Sequence, residues 1–456
     1  MVKQNRDLYR KALKLAVPIM IQNGITNMVG LVDNVMVGSL GTESMTAVSI
    51  VSQLIFVYNL SIFGGLSGPG IYGAQFYGKG NKEGLKHTFH IKMMICLFCL
   101  VAGLTIFLTK GEDLIGLYLK GEGTALDVTL TLQLAKQYLA VMLWNLFPFI
   151  VTQLYASSLR ETGESVIPMI AGICSVVVDI VLNYTLIYGK FGMPALGVRG
   201  AAIATVTARI VEVSIIIIWV HSKKDRFDFL VGIYKSILVP KDLAGTIIKK
   251  SLPIFVNEFL WSGGIAVLTQ CYSIRGLEII AGLNISNAIC NLLNVVFVAL
   301  GNAVGVLIGH TLGEANYKKA KKDSAALMRF SATLCIGLAL ILILLSGGFP
   351  KLYDTSEEVR KIGKNFIIIT ACFFPIQGLL NALYFTLRSG GKTFITFLFD
   401  SVFSWVVSVP ICYILCFHTT LPIYGVYVLV QSCDIIKVFI GLILIKKGVW
   451  ITNLVE

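Results

Sequence analysis

The sequence predicts an all-α integral membrane protein of about twelve transmembrane helices. They form two six-helix lobes related by a pseudo-twofold axis along the membrane normal. Three observations carry this expectation. Of 456 residues, 56% are hydrophobic and only 14% charged, with a mean hydropathy of +0.79; an average soluble domain has roughly 45–50% apolar and about 25% charged residues. Twelve stretches hold the ~20 mostly apolar residues needed to cross about 30 Å of hydrocarbon at 1.5 Å per residue. Helix-breaking residues recur at fixed offsets between the two halves. A disordered chain, a coiled coil and an ordinary cytosolic enzyme are excluded.

In chain order the spans run over 13–37, 48–74, 89–109, 132–157, 166–188 and 198–221, then 247–269, 279–304, 328–345, 362–387, 394–417 and 424–445. The ten cysteines all fall inside apolar runs, where they act as small packing residues rather than a disulfide framework. Cys96-x-x-Cys99 has redox spacing, but its neighbours Met93, Met94, Ile95, Leu97 and Phe98 are membrane helix and supply no partner ligands. The five histidines match no metalloenzyme spacing. The basic start leads into an apolar stretch too long for a signal peptide, with no small-residue cleavage site.

Orientation follows from the basic residues, which are enriched in cytoplasmic loops. One set of loops and termini holds 26 of them, including Lys3, Arg6, Lys82, Lys92, Arg160, Lys223, Lys318, Arg388 and Lys446. The opposite set holds ten, among them Lys110, Lys190, Arg275 and Lys364. Both termini are therefore expected in the cytoplasm of a cell-membrane protein. The net charge of +13 is then a topology signal, and no separate basic domain suggests nucleic acid.

The repeat sets the domain plan. Pro18, Gly41, Gly70, Gly78 and Asn81 recur as Pro253, Gly276, Gly305, Gly313 and Asn316, each displaced by 235. Leu159, Arg160, Gly163, Pro194 and Gly197 recur as Leu387, Arg388, Gly391, Pro422 and Gly425, each displaced by 228. Six spans per half, an even number, means that both halves enter from the same side, as in parallel-repeat secondary transporters. The expected domains are a lobe over 1–221, a cytoplasmic linker over 222–242 and a lobe over 243–456.

Carboxylates inside hydrocarbon cost about 2.5–3.5 kcal/mol each even on the lenient insertion scale, so each needs a reason. Four stand in apolar spans without an adjacent base: Asp33, Asp179, Glu258 and Asp400. On the first span, Gln22, Asn23, Thr26, Asn27, Gly30, Asp33 and Asn34 fall within an arc of about 140°. A polar stripe of that width faces protein or water. Asp179 has Ser175 and Asn183 on its face at four-residue spacing. Glu258 has Asn257 beside it and Ser262 one turn on, and Asp400 heads a stripe of Thr393, Thr396, Ser404 and Ser408. The repeat duplicates the glycines and prolines but not these acids, which marks the acids as specialised. Two other spans carry pairs at three-residue spacing, Arg209 with Glu212 and Asp434 with Lys437, which read as self-neutralised motifs.

Several segments together resemble a known family. VDNVMVGSLG from Val32, GAQFYGKGNKE from Gly73, LRETGES from Leu159, VLNYTLIYG from Val181, GVRGAAIATV from Gly197 and LRSGGKT from Leu387 resemble, in order, the multidrug and toxic compound extrusion (MATE) family. The resemblance covers essentially the whole chain. It implies two lobes around a central cavity and export of cationic or amphipathic compounds in exchange for Na⁺ or H⁺. By position, Asp33 matches the family's first-helix acid, and Glu258 the seventh-helix acid of some branches. The fifth-helix polar–acid pair appears reversed, as Asp179 then Asn183, and Lys392 stands where many members have an acid.

Asp33, Asp179, Glu258 and Asp400 are thus the candidate cation-coupling residues. Gln22, Asn23, Asn27, Asn34, Asn183, Asn257 and Ser262 are the candidate polar contacts for substrate, and Asp33, Asp179 and Asn183 a candidate Na⁺ site. A carboxylate withdrawn from water holds a proton, and Na⁺ favours the same oxygens. An organic cation competing for that charge couples opposing fluxes. Aromatics such as Trp144, Phe147, Tyr155, Trp261 and Tyr384 are candidate cation contacts. The sequence calls for no cofactor and no enzymatic activity. The expected partners are small organic cations and the bilayer, with the protein a monomer. The alternative is a flippase for lipid-linked oligosaccharide, which would need cavity bases to meet pyrophosphate where these spans carry acids.

Overall fold

The computed structural model describes residues 2–119, 127–223, 227–234, 237–353 and 355–455; Lys120, Lys224, Arg226, Lys235 and the side chain of Asn34 lie outside the described residues. The described residues form no strand. Their long helices are α1 Val2–Gly38, α2 Thr42–Lys79, α3 Lys82–Leu119, α4 Val128–Glu161, α5 Val166–Tyr188 and α6 Val198–Ser222. The second six are α7 Lys241–Ser273, α8 Leu277–Gly313, α9 Tyr317–Leu345, α10 Glu357–Ser389, α11 Thr393–His418 and α12 Ile423–Lys446. Eleven of these are long and apolar enough to cross a membrane by length and composition. The twelfth, α1, is long enough, but its polar arc dilutes its apolar content.

The chain divides into two compact units. Unit 2 holds 21–73 and 82–245, and unit 1 holds 1–20, 74–81 and 246–456. The first twenty residues of α1 and the last turns of α2 thus pack with the second half of the chain, and the segment joining the two six-helix sets packs within unit 2. In unit 2, α6 lies against α5 and α4, and α4 against α3. Its core joins Val51, Leu54 and Tyr58 of α2 to Phe89, Leu154, Tyr155, Ile216 and the linker residues Phe227, Phe229 and Leu230. In unit 1, α10 packs against α8, α9 and α12. Ala12 and Leu15 of α1 are buried there against α8.

Several of the repeated residues occupy equivalent backbone positions, although Gly197 caps α6 with a left-handed φ of 54° while its counterpart Gly425 lies inside α12. Pro18 and Pro253 both sit inside their helices, α1 and α7. Gly163 and Gly391 both take left-handed φ values, 84° and 71°, in the turns after α4 and α10. The pair 78 and 313 explains itself by reciprocity. A Cβ on Gly78 would overlap the His310 carbonyl, and a Cβ on Gly313 would overlap the Gln75 carbonyl. Gln75 and His310 are themselves 235 apart, so α2 and α8 cross through a small-residue contact that each copy makes in the same way.

Candidate coupling site

The sequence-nominated acids fall into two clusters. In unit 2, the Asn183 side chain stands between two carboxylates. Its Nδ2 donates to Asp33 Oδ1 of α1 at 2.7 Å and to Asp179 Oδ2, one turn earlier on α5, at 3.3 Å. Asp179 and Asn183 are 6% and 1% exposed, and Asp33 is half-buried. Asp179 Oδ1 and Asn183 Oδ1 are buried and accept no hydrogen bond among the described residues. One neutral amide therefore holds two acids, and two acceptor oxygens beside it lack donors, an arrangement that favours a bound cation or proton.

Around this pair the other charges are already matched. Arg209 Nη1 bonds Glu212 Oε2 at 2.6 Å along α6, as the spacing predicts, and Glu212 is buried. Gln22 accepts from Arg160 Nη2 at 3.4 Å and lies against Gly172. Asn23 is half-buried and Asn27 exposed, and neither side chain makes a hydrogen bond among the described residues.

In unit 1, Asn257 of α7 is 2% exposed and donates to Asp400 Oδ2 at 3.1 Å and Tyr384 Oη at 3.4 Å, while accepting from Ser401 Oγ at 2.7 Å. Asn257 is thus a tie between α7, α10 and α11. Glu258 is half-buried, faces Arg388 and Asp400, and makes no hydrogen bond or ion pair among the described residues. Ser262 also makes none. Asp400 departs from the expectation of an acid without a nearby base. Lys437 Nζ lies 3.8 Å from Asp400 Oδ1 and 3.3 Å from Asp434 Oδ1, so the Asp434–Lys437 pair is not closed within its own helix. Two π-helical turns, Leu398–Val402 and Ser404–Ser408, widen α11 here and change its facing pattern, which a uniform helical period does not anticipate.

Sequence reasoning missed one buried pair. Lys92 is 0% exposed on α3, ion-pairs with Glu161 at the end of α4, and donates to Ser158 Oγ at 3.1 Å. It belongs to the folded interior and not to a cytoplasmic loop. The signal was present, since Lys92 falls inside the 89–109 span, but its partner lies 69 residues away. Among the aromatics, Tyr155 is buried with its hydroxyl on His221 and Tyr234 and is not available to a substrate. Trp144 and Phe147 are 76% and 62% exposed on the surface of the isolated chain.

The MatE family model matches residues 18–185 and 253–414, most of both six-helix sets. The chain belongs to the MatE family. Its curated relatives include a probable multidrug resistance protein NorM of Thermotoga maritima, 23% identical over 97% of this chain and 93% of the relative. A probable multidrug resistance protein YoeA of Bacillus subtilis is 26% identical over 93% of this chain and 91% of that one. The fold matches a solved outward-facing multidrug resistance MATE transporter with a TM-score of 0.85 at 19% identity, over 97% and 96% of the two chains. It matches a MOP-superfamily transporter of Pyrococcus furiosus with a TM-score of 0.82 at 20% identity, over the same shares. This MatE chain is accordingly a multi-pass membrane protein of a multidrug efflux transporter family, and its relatives are transporters rather than enzymes.

Proposed function

We propose that the chain is a secondary antiporter that exports cationic or amphipathic organic compounds in exchange for Na⁺ or H⁺ by alternating access, acting as a monomer with cytoplasmic termini. The observation that supports this most is the Asp33–Asn183–Asp179 arrangement. Two carboxylates share one neutral donor and have no base bonded to them, and Arg209, the base that acts on Asp179, is already paired to Glu212, so a mobile cation gains charge stabilisation here. Na⁺ would take oxygens of Asp33, Asp179 and Asn183, and a proton would take a carboxylate oxygen. An organic cation arriving near the same charge favours release of the bound ion, and that competition couples the two fluxes. Glu258 adds a further acid without an ion pair, and Gln22, Asn23, Asn27 and Asn34 of α1 supply the polar contacts for substrate.

The acids in both units speak against the flippase alternative, whose pyrophosphate would call for an excess of bases. The test is efflux of a fluorescent organic cation from proteoliposomes under separately imposed Na⁺ and H⁺ gradients. Efflux driven by one gradient and collapsed by its ionophore supports the antiporter. Equal efflux with no gradient overturns coupling.

A further inference from the structure

The unit 1 cluster differs from the unit 2 pair in one chemical respect, because it contains its own cation. Lys437 of α12 is 5% exposed, and its side chain is 6% exposed. Its ammonium donates to Ser404 Oγ at 3.1 Å, lies 3.3 Å from Asp434 and 3.8 Å from Asp400, and sits 5.4 Å from the Phe403 ring centroid. Carboxylates, a hydroxyl and an aromatic face are the surroundings that a bound monovalent cation would seek. The π-helical turns of α11 bring Asp400, Phe403 and Ser404 toward Lys437 from one helix. Asp400 is also held on its other side by Asn257. The cluster is thus filled and tied, with a tethered ammonium where the unit 2 pair has none.

We infer that Lys437 is the resident cation of the Asp400–Asp434 cluster: it occupies the place that an exchangeable ion takes at Asp33–Asp179, and so keeps these two acids out of ion exchange. This rests on the antiporter reading of the unit 2 pair. The consequence is a specificity of stoichiometry. Lys437 offsets one of the two carboxylate charges, and Asp400 and Asp434 do not count among the exchanged charges, although they too lie in apolar helices of membrane-spanning length. A shorter neutral side chain at 437 would leave two half-buried carboxylates with the Ser404 hydroxyl beside them, a set of oxygens able to hold Na⁺.

The experiment is equilibrium binding of radiolabelled Na⁺ to the purified full chain, comparing wild type with Lys437→Gln, Lys437→Arg and Lys437→Gln/Asp400→Asn/Asp434→Asn. Lys437→Gln is expected to bind one more Na⁺ per chain than wild type, whatever the wild-type number. Lys437→Arg keeps a cation in place and gains none, and the triple variant loses the gain. A folded Lys437→Gln chain with the wild-type count overturns the inference. Should Lys437→Gln fail to fold, Asp400→Asn in the wild-type background decides the matter. The number of Na⁺ or H⁺ exchanged per dye in proteoliposomes stays unchanged if Lys437 is the resident cation, and a drop in that number overturns it. Failure of the antiporter reading looks different: Asp33→Asn would then export dye at the wild-type rate while the Na⁺ gain in Lys437→Gln persists.

Discussion

In unit 2 the acids Asp33 and Asp179 are joined by a neutral amide, whereas in unit 1 Asp400 and Asp434 gather around an ammonium. Both sets lie in apolar helices and both are tied across helices by an asparagine, Asn183 in one and Asn257 in the other. The difference is whether the protein supplies the counter-charge. A carboxylate paired to a lysine is a fixed charge pair, and separating the partners leaves an uncompensated ion in low dielectric. A carboxylate pair bridged only by an amide still seeks a cation. On the proposed antiporter reading, similar side chains on similar scaffolds serve stability in one place and exchange in the other. Lys92 with Glu161 shows that unit 2 also contains a pair of the fixed kind, away from the amide-bridged acids.

The largest effect is expected at Asp33 and Glu258, the acids that make no ion pair among the described residues. Asp33→Asn should reduce coupled dye export to the level of empty liposomes, and Glu258→Gln should do the same. Both should leave a monodisperse protein, because size and hydrogen-bonding capacity survive the change; the new NH₂ group without a partner costs about 1–3 kcal/mol. Wild-type export by Asp33→Asn would erase the contrast between the units. Next comes the fixed pair: Lys92→Met should lower stability by about 3–5 kcal/mol, measured as thermal unfolding in detergent, because Glu161 is left buried without its ammonium. Adding Glu161→Leu should restore most of that loss. A single variant as stable as wild type would show that the pair is not a structural tie.

Gly78→Ala and Gly313→Ala sharpen the repeat rather than the site. Each should cost about 1–3 kcal/mol by overpacking the α2–α8 crossing, with similar values because the contact is reciprocal. Unequal losses would mean that the two copies have diverged in packing. The smallest change is expected from Asp400→Asn. Export should fall less than in Asp179→Asn, which in turn should fall less than in Asp33→Asn, because Lys437 keeps Asp434 as a partner.

The span pattern, the repeat and the pairing of Asp179 with Asn183 were readable because each depends on short-range periodicity or on glycine and proline, whose backbone demands are local. Asp33 stood out for the same reason, as a charge in an apolar helix. Three features were not readable. The link from Asp400 to Lys437 crosses two helices and depends on π turns that break the 100° period. The Lys92–Glu161 pair joins α3 to α4 by a contact that no local spacing encodes. The assignment of 1–20 and 74–81 to unit 1 is a packing outcome of helices that run through both units, and segment order along the chain conceals it.

In the proposed mechanism, ion and substrate contest one charge site in unit 2. The most direct measurement is release of the bound ion when an organic cation is added to the purified protein. Radiolabelled Na⁺ reports Na⁺ coupling, and a pH indicator in weak buffer reports H⁺ coupling. Wild type is expected to release its ion as the organic cation binds, and Asp33→Asn to release none. Undiminished release from a folded Asp33→Asn protein would contradict that mechanism.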